Sequence, residues 1–138
     1  MPGEELIIKP AIAMGLVIGI IEMVWVMKDE VGPGKFGHAL HTLPLSLIFI
    51  FISMNSEWVI ATFAFLQAIP LISNPLVFRI VLALVAGIKA YASSRLLRGT
   101  SVPGTHESII HVILYMGLIV GAPYIWTYLE PMAPAWLK

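Results

Sequence analysis

Apolar residues run along this chain in five blocks, at about 9–28, 36–54, 57–72, 75–97 and 106–129, separated by short polar stretches. The separators carry the helix breakers. KDEVGPGK (28–35) holds Gly32, Pro33 and Gly34, and RGTSVPGT (98–105) is the longest polar stretch. MNSE closes the second block, with Asn55 or Ser56 the expected N-cap of the third and Glu57 in its first turn. Ser73-Asn74-Pro75 reads as a turn that puts a proline at the first position of the fourth helix. Beyond the fifth block, Pro131 and Pro134 stop further helix. No block alternates with period two, and an open sheet edge in lipid would leave backbone groups unpaired. The pattern therefore predicts an all-α fold: a polytopic integral membrane helical bundle, one domain over 1–138, with no internal repeat.

Block length decides how many of these helices span. A hydrocarbon core of about 30 Å needs roughly twenty apolar residues as helix. The 57–72 block supplies about sixteen, or roughly 24 Å at 1.5 Å per residue. It either spans with local thinning or lies re-entrant or along the interface. The expectation is thus four or five transmembrane helices, with the chain termini on the same side for four and on opposite sides for five. Basic residues do not choose an orientation for five spans. Lys9, Arg95 and Arg98 on one side balance Lys28, Lys35 and Lys138 on the other, and Arg79 and Lys89 add one each.

Composition agrees with the pattern. Of 138 residues, 59% are hydrophobic and 12% charged, and the mean hydropathy is +0.92. A soluble domain is nearer half apolar and a quarter charged. The expected partner is a lipid bilayer, and the expected location is the inner membrane of a prokaryote. The formal net charge is zero, so nothing points to nucleic acid. The absence of cysteine excludes disulfides, thiolate metal sites and thiol nucleophiles. The opening MPGEELIIK lacks the basic region and cleavage site of a signal peptide, so the first helix is expected to be retained.

Candidate chemistry starts in the first block. At about 100° per residue, Ala11, Gly15, Ile18, Gly19, Glu22 and Asp29 share one stripe. Small residues there admit a close neighbouring helix, and a carboxylate on the same face points into protein or a wet cavity. Glu22 is the leading candidate for an ion or proton site. His38 and His41, in GHALHTLP, lie three apart on one helical face. The same helix contains Pro44, which can release the carbonyl of Leu40. In an antiparallel hairpin His41 reaches the depth of Glu22, roughly 9 Å from the link by helix rise. A Glu22–His41 contact is therefore expected, with Asp29 meeting His38 nearer the surface. These four residues suit a carboxylate–imidazole proton relay. His38 and His41 are also the candidate metal ligands, although no HExxH or ExxH motif occurs. The competing reading makes them histidines that hydrogen-bond across a helix pair.

A second polar cluster comprises Glu107, His111, Lys89 and Arg79. Glu107 and His111 are four apart and can pair, while His106 points away. His111 leads a stripe of Tyr115, Leu118, Ala122 and Trp126. Arg79, Ala83, Ala86 and Ala90 form another small and polar stripe, a second close-packing face beside that of Gly15 and Gly19. Gly117 and Gly121 are a further small pair. Trp58, Trp126, Tyr128 and Trp136 fall near helix ends, as interfacial aromatics do.

No phosphate-binding glycine loop, serine nucleophile elbow, arginine ladder or inverted repeat occurs. No cofactor is required by the sequence. Two small-residue stripes suggest self-association or membership of a larger membrane complex. The favoured function is an oligomeric proton or small-cation channel or transporter that uses Glu22 with nearby His. The alternative is a non-catalytic accessory or assembly subunit whose charges pair with another chain. A membrane metalloenzyme comes third.

Overall fold

The computed structural model describes residues 5–29, 35–96 and 108–138. Every regular element among them is helical: α1 (Lys9–Asp29), α2 (Lys35–Met54), α3 (Ser56–Thr62), α4 (Ala64–Gln67), α5 (Pro75–Leu96) and α6 (Ile109–Leu129), then a 3₁₀ turn at Glu130–Met132. Four of them, α1, α2, α5 and α6, are long and apolar enough to cross a membrane. The helical bundle read from the sequence is thus the fold of the chain.

The 57–72 block is not among the spanning candidates. It breaks at Phe63, whose backbone is extended (φ −101°, ψ 95°), into helices of seven and four residues. Gln67 Nε2 donates to the carbonyls of Ile60 (3.2 Å) and Ala61 (2.9 Å). It thereby satisfies acceptors that the end of α3 leaves open. Asn74 Oδ1 then accepts from the N–H groups of Leu76 (2.9 Å) and Val77 (3.3 Å), capping α5 with Pro75 at its first position. Asn55 does not cap α3 through its side chain. Its amide instead clamps the N-terminal segment. Oδ1 accepts from Ile7 N (2.6 Å), and Nδ2 donates to Ile7 O (3.0 Å) and Phe51 O (2.9 Å).

With four long helices the chain runs up, down, up, down, and both termini lie at one end. Lys9 Nζ donates to Trp136 O (2.9 Å) there. The last turn of α1 and the first of α6 meet at the other end, where Asp29 contacts Ser108 and His111. α1 packs on α2 and α5 on α6, and α6 joins the two hairpins by touching both α1 and α2. Among the described residues α1 and α5 lie diagonally across the bundle, without direct backbone proximity.

The α1–α2 contact is as close as the small stripe predicts. A Cβ on Gly19 would sit 2.7 Å from Leu43 Cδ1 and 3.2 Å from Ser46 Cβ. One on Gly15 would sit 3.1 Å from the Leu47 backbone. On α5, Ala83 and Ala86 are buried, and a Cβ on Gly87 would overlap Met116 Sδ of α6; Ala90 is half-buried. Both stripes are therefore consumed inside the chain. Gly117 meets open space, with nothing within 4 Å of a Cβ placed there. The core between the helices is Met14 and Ile18 of α1, Ile50 of α2, Ala83 and Ala86 of α5, and Ile119 and Ala122 of α6. Polar groups lie at either end of that apolar middle.

Candidate functional site

Each long helix delivers at least one polar side chain to the half of the bundle where α1 ends and α6 begins. Glu22 continues the buried face of α1, which includes Gly15, Ile18 and Gly19, and is 3% exposed. The stripe that identified it from the sequence is nearly the buried face itself. On α2 the buried line is Ala39, Ser46, Ile50 and Ser53. His38 and Thr42 flank it on one side, and His38 is buried. Lys89 comes from α5, where it is half-buried, and Tyr115 from the buried face of α6. Glu22, His38, Thr42, Lys89 and Tyr115 line one pocket of about 20 Å³, together with the apolar Leu45 and Phe49. That volume is room for a single water molecule. Tyr115 Oη is further hydrogen-bonded to Ser46 Oγ at 2.9 Å.

The hairpin arithmetic placed the right stretch of α2 beside Glu22 but the wrong histidine. His41 is exposed. At 100° per residue it lies about 160° round the helix from Ala39, the centre of the buried line. His38, one turn earlier, takes the place expected for His41. Asp29 in turn does not meet His38 in a described contact. It reaches across to α6, where Oδ2 accepts from Ser108 N (2.8 Å) and from His111 Nδ1–H. The His111 ring stacks on Trp25, with centroids 5.2 Å apart and planes within 6°. Asp29, Trp25 and His111 thus form a polar latch between the last turn of α1 and the first of α6. Glu107 and His106 lie outside the described residues.

The chemistry available follows from these neighbours. Carboxylate, imidazole, ammonium and phenol share a space that excludes all but one small molecule. Among the described residues no three His, Asp or Glu side chains gather to hold a metal. His38 and His41 stand on different faces of α2, one buried and the other exposed. The remaining secondary residue, Arg79, sits at the other end of the bundle and takes no part in this pocket.

Fold and site together define an all-helical protein with four candidate transmembrane helices and a polar cluster buried between them. Compared with known proteins, the chain matches no family model, no curated protein and no solved structure.

Proposed function

We propose that this protein carries protons across a membrane, with Glu22 as the intramembrane proton site and His38, in the same pocket, as its exchange partner. The observation behind this reading is the water-sized pocket that Glu22, His38, Lys89 and Tyr115 line together between all four long helices. Buried ionisable groups in spans are costly, and they concentrate where protons or ions are handled. One water in such a pocket can bridge a carboxylate and an imidazole, and both groups exchange protons readily. The same geometry narrows the cargo. About 20 Å³ is too little for a hydrated cation, and the Lys89 ammonium in the wall repels one. A proton needs neither the volume nor a fixed ligand set. The latch at Asp29 and His111 continues the polar groups from the pocket toward the nearer surface.

In this reading the exchange site belongs to one chain and works in a cell's inner membrane, between compartments that differ in proton activity. The accessory-subunit alternative draws less support, because Glu22 and Arg79 are buried within the chain rather than presented to a partner.

The test is proton flux into proteoliposomes driven by a pH gradient, wild type against Glu22→Gln. The variant keeps the side chain's shape and removes its titration. The expected outcome is flux above protein-free vesicles in the wild type and a fall of about tenfold or more in the variant, corresponding to at least about 1.4 kcal/mol. Equal background-level flux from both would overturn the proposal.

A further inference from the structure

The end of the bundle that carries the termini holds a charged residue which the proton reading does not use. Arg79, in the second turn of α5, is 8% exposed. Its Nε donates to Ser56 Oγ (2.8 Å) and Ser53 O (3.2 Å), and its Nη1 to Tyr124 Oη (3.3 Å). The guanidinium carbon lies 5.5 Å from the centre of the Tyr124 ring. All of these acceptors are neutral. Among the described residues no carboxylate comes within ion-pairing distance of Arg79. A guanidinium has five N–H donors, so both amino nitrogens keep N–H groups for another acceptor.

Arg79 lines an open cleft of about 710 Å³, a volume within the range of small-molecule sites. The apolar part of its wall includes Leu6, Ile8, Met54, Trp58 and Trp126. Lys9 and Lys138 add positive charge. Glu5, Glu57 and Glu130 line it too, but all three are exposed. Water and salt screen charges at that position far more than they screen a buried guanidinium. The cleft also lies at the helix ends beside Trp58 and Trp126, where lipid headgroups meet aromatic side chains.

We propose that this cleft binds the phosphate of a membrane phospholipid, with Arg79 as the clamp on that phosphate. The planar fork of arginine matches two phosphate oxygens at once, and a lysine contributes a point charge. A free phosphate ion would satisfy Arg79 but would leave the apolar wall unused. A phospholipid uses both, its headgroup on Arg79 and its glycerol and upper acyl carbons along Trp58, Met54 and Trp126.

Native mass spectrometry of the delipidated full chain in a neutral detergent tests this. Three probes are titrated: phosphatidylglycerol, a diacylglycerol with the same chains, and inorganic phosphate. Phosphatidylglycerol should bind as a single adduct, about tenfold or more tighter than diacylglycerol, the scale of one or two charge-assisted hydrogen bonds. Arg79→Gln should remove about that factor, and Lys9→Gln about twofold to threefold. Equal binding of phosphatidylglycerol and diacylglycerol to the wild type would overturn the site. Saturable binding of inorganic phosphate with no gain from the lipid would overturn the lipid as its source. Should Arg79→Gln fail to fold, the wild-type ratio of the two lipids and the Lys9→Gln titration still decide.

Discussion

Glu22 and Arg79, 3% and 8% exposed, sit at opposite ends of the same four helices in unlike surroundings. Glu22 shares a small pocket of about 20 Å³ with a lysine, a histidine and a tyrosine. Arg79 borders an open cleft of about 710 Å³ and donates only to serine and tyrosine oxygens and a backbone carbonyl. One end places a buried carboxylate in a pocket that an ammonium also lines. The other answers a buried charge with neutral dipoles and an opening. Burying an ion without compensation is expensive in either case. A mixed-charge pocket of about 20 Å³ has room for little beyond one water molecule, whereas a lone cation at a cleft of about 710 Å³ leaves capacity for an anion from outside. Between the two, every buried position is apolar or small, from Met14 and Ile18 to Ile119 and Ala122. The two sites are therefore spatially separate, with no lining residue in common.

That separation predicts its largest effect at Lys89. Lys89→Met leaves the Glu22 pocket without its ammonium and should lower stability by about 2 to 4 kcal/mol, as loss of one member of a buried charge cluster does. Combined with Glu22→Gln, part of that loss should return, with a coupling of about 1 kcal/mol or more. Arg79→Gln and Glu57→Gln, by contrast, should add within about 0.5 kcal/mol. Reversible unfolding in mixed detergent micelles reads all of these. Additive losses at Glu22 and Lys89 would show that the Glu22 pocket is not a charge-compensated unit, and the contrast between the two ends would collapse.

A smaller effect is expected at the α1–α2 helix contact beside the pocket. A β-branched side chain on Gly19 would press on Leu43 Cδ1, Ser46 Cβ and the Leu43 carbonyl, which lie 2.7, 3.2 and 3.4 Å from a Cβ there. Gly19→Val should cost about 2 kcal/mol by overpacking, and should also reduce flux by moving His38 away from Glu22. Gly117→Val, which meets open space, should change stability by less than about 0.5 kcal/mol. A larger loss at Gly117 than at Gly19 would mean that the outward face of α6 is covered by a second chain.

What the sequence disclosed and what it hid follow from how a helix in lipid is marked. On α1 the small residues and the single carboxylate share a face, so period alone found the buried side and Glu22 with it. On α2 polar residues fall on both the buried and the exposed sides, His38 and His41 among them, so polarity by itself does not say which side is inside. The informative marks were Ser46 and Ser53, seven apart and both fully buried. Read with Ala39, they put His38 at the edge of the interior and His41 outside. The Asp29–His111 latch joins residues 82 positions apart on helices that are not consecutive, so no spacing rule could pair them. The broken 57–72 block carried its own signal in Gln67, a lone amide in an apolar run, which serves the carbonyls left open where α3 stops.

The smallest predicted effect concerns a proline. Pro123 lies inside α6 and has no N–H, so the carbonyl of Ile119, four residues earlier, loses its helical donor. Ser53 of α2 supplies one, its Oγ donating to Ile119 O. In a bilayer such a carbonyl finds no water, so a neighbouring hydroxyl is what makes the proline tolerable. Ser53→Ala should then cost about 1 kcal/mol, near the upper part of the range measured for single hydrogen bonds between membrane helices. In a Pro123→Ala background the backbone N–H of residue 123 returns to Ile119 O, and the same Ser53 substitution should cost close to nothing. Arg79 should be indifferent to it throughout, because it takes the backbone carbonyl of Ser53 and not the hydroxyl. Lipid binding at the cleft should therefore survive Ser53→Ala unchanged. An equal penalty in both backgrounds, or a loss of lipid binding with the serine, would mean that the hydroxyl supports the Arg79 end itself, and the two ends of the bundle would then differ less than their pockets do.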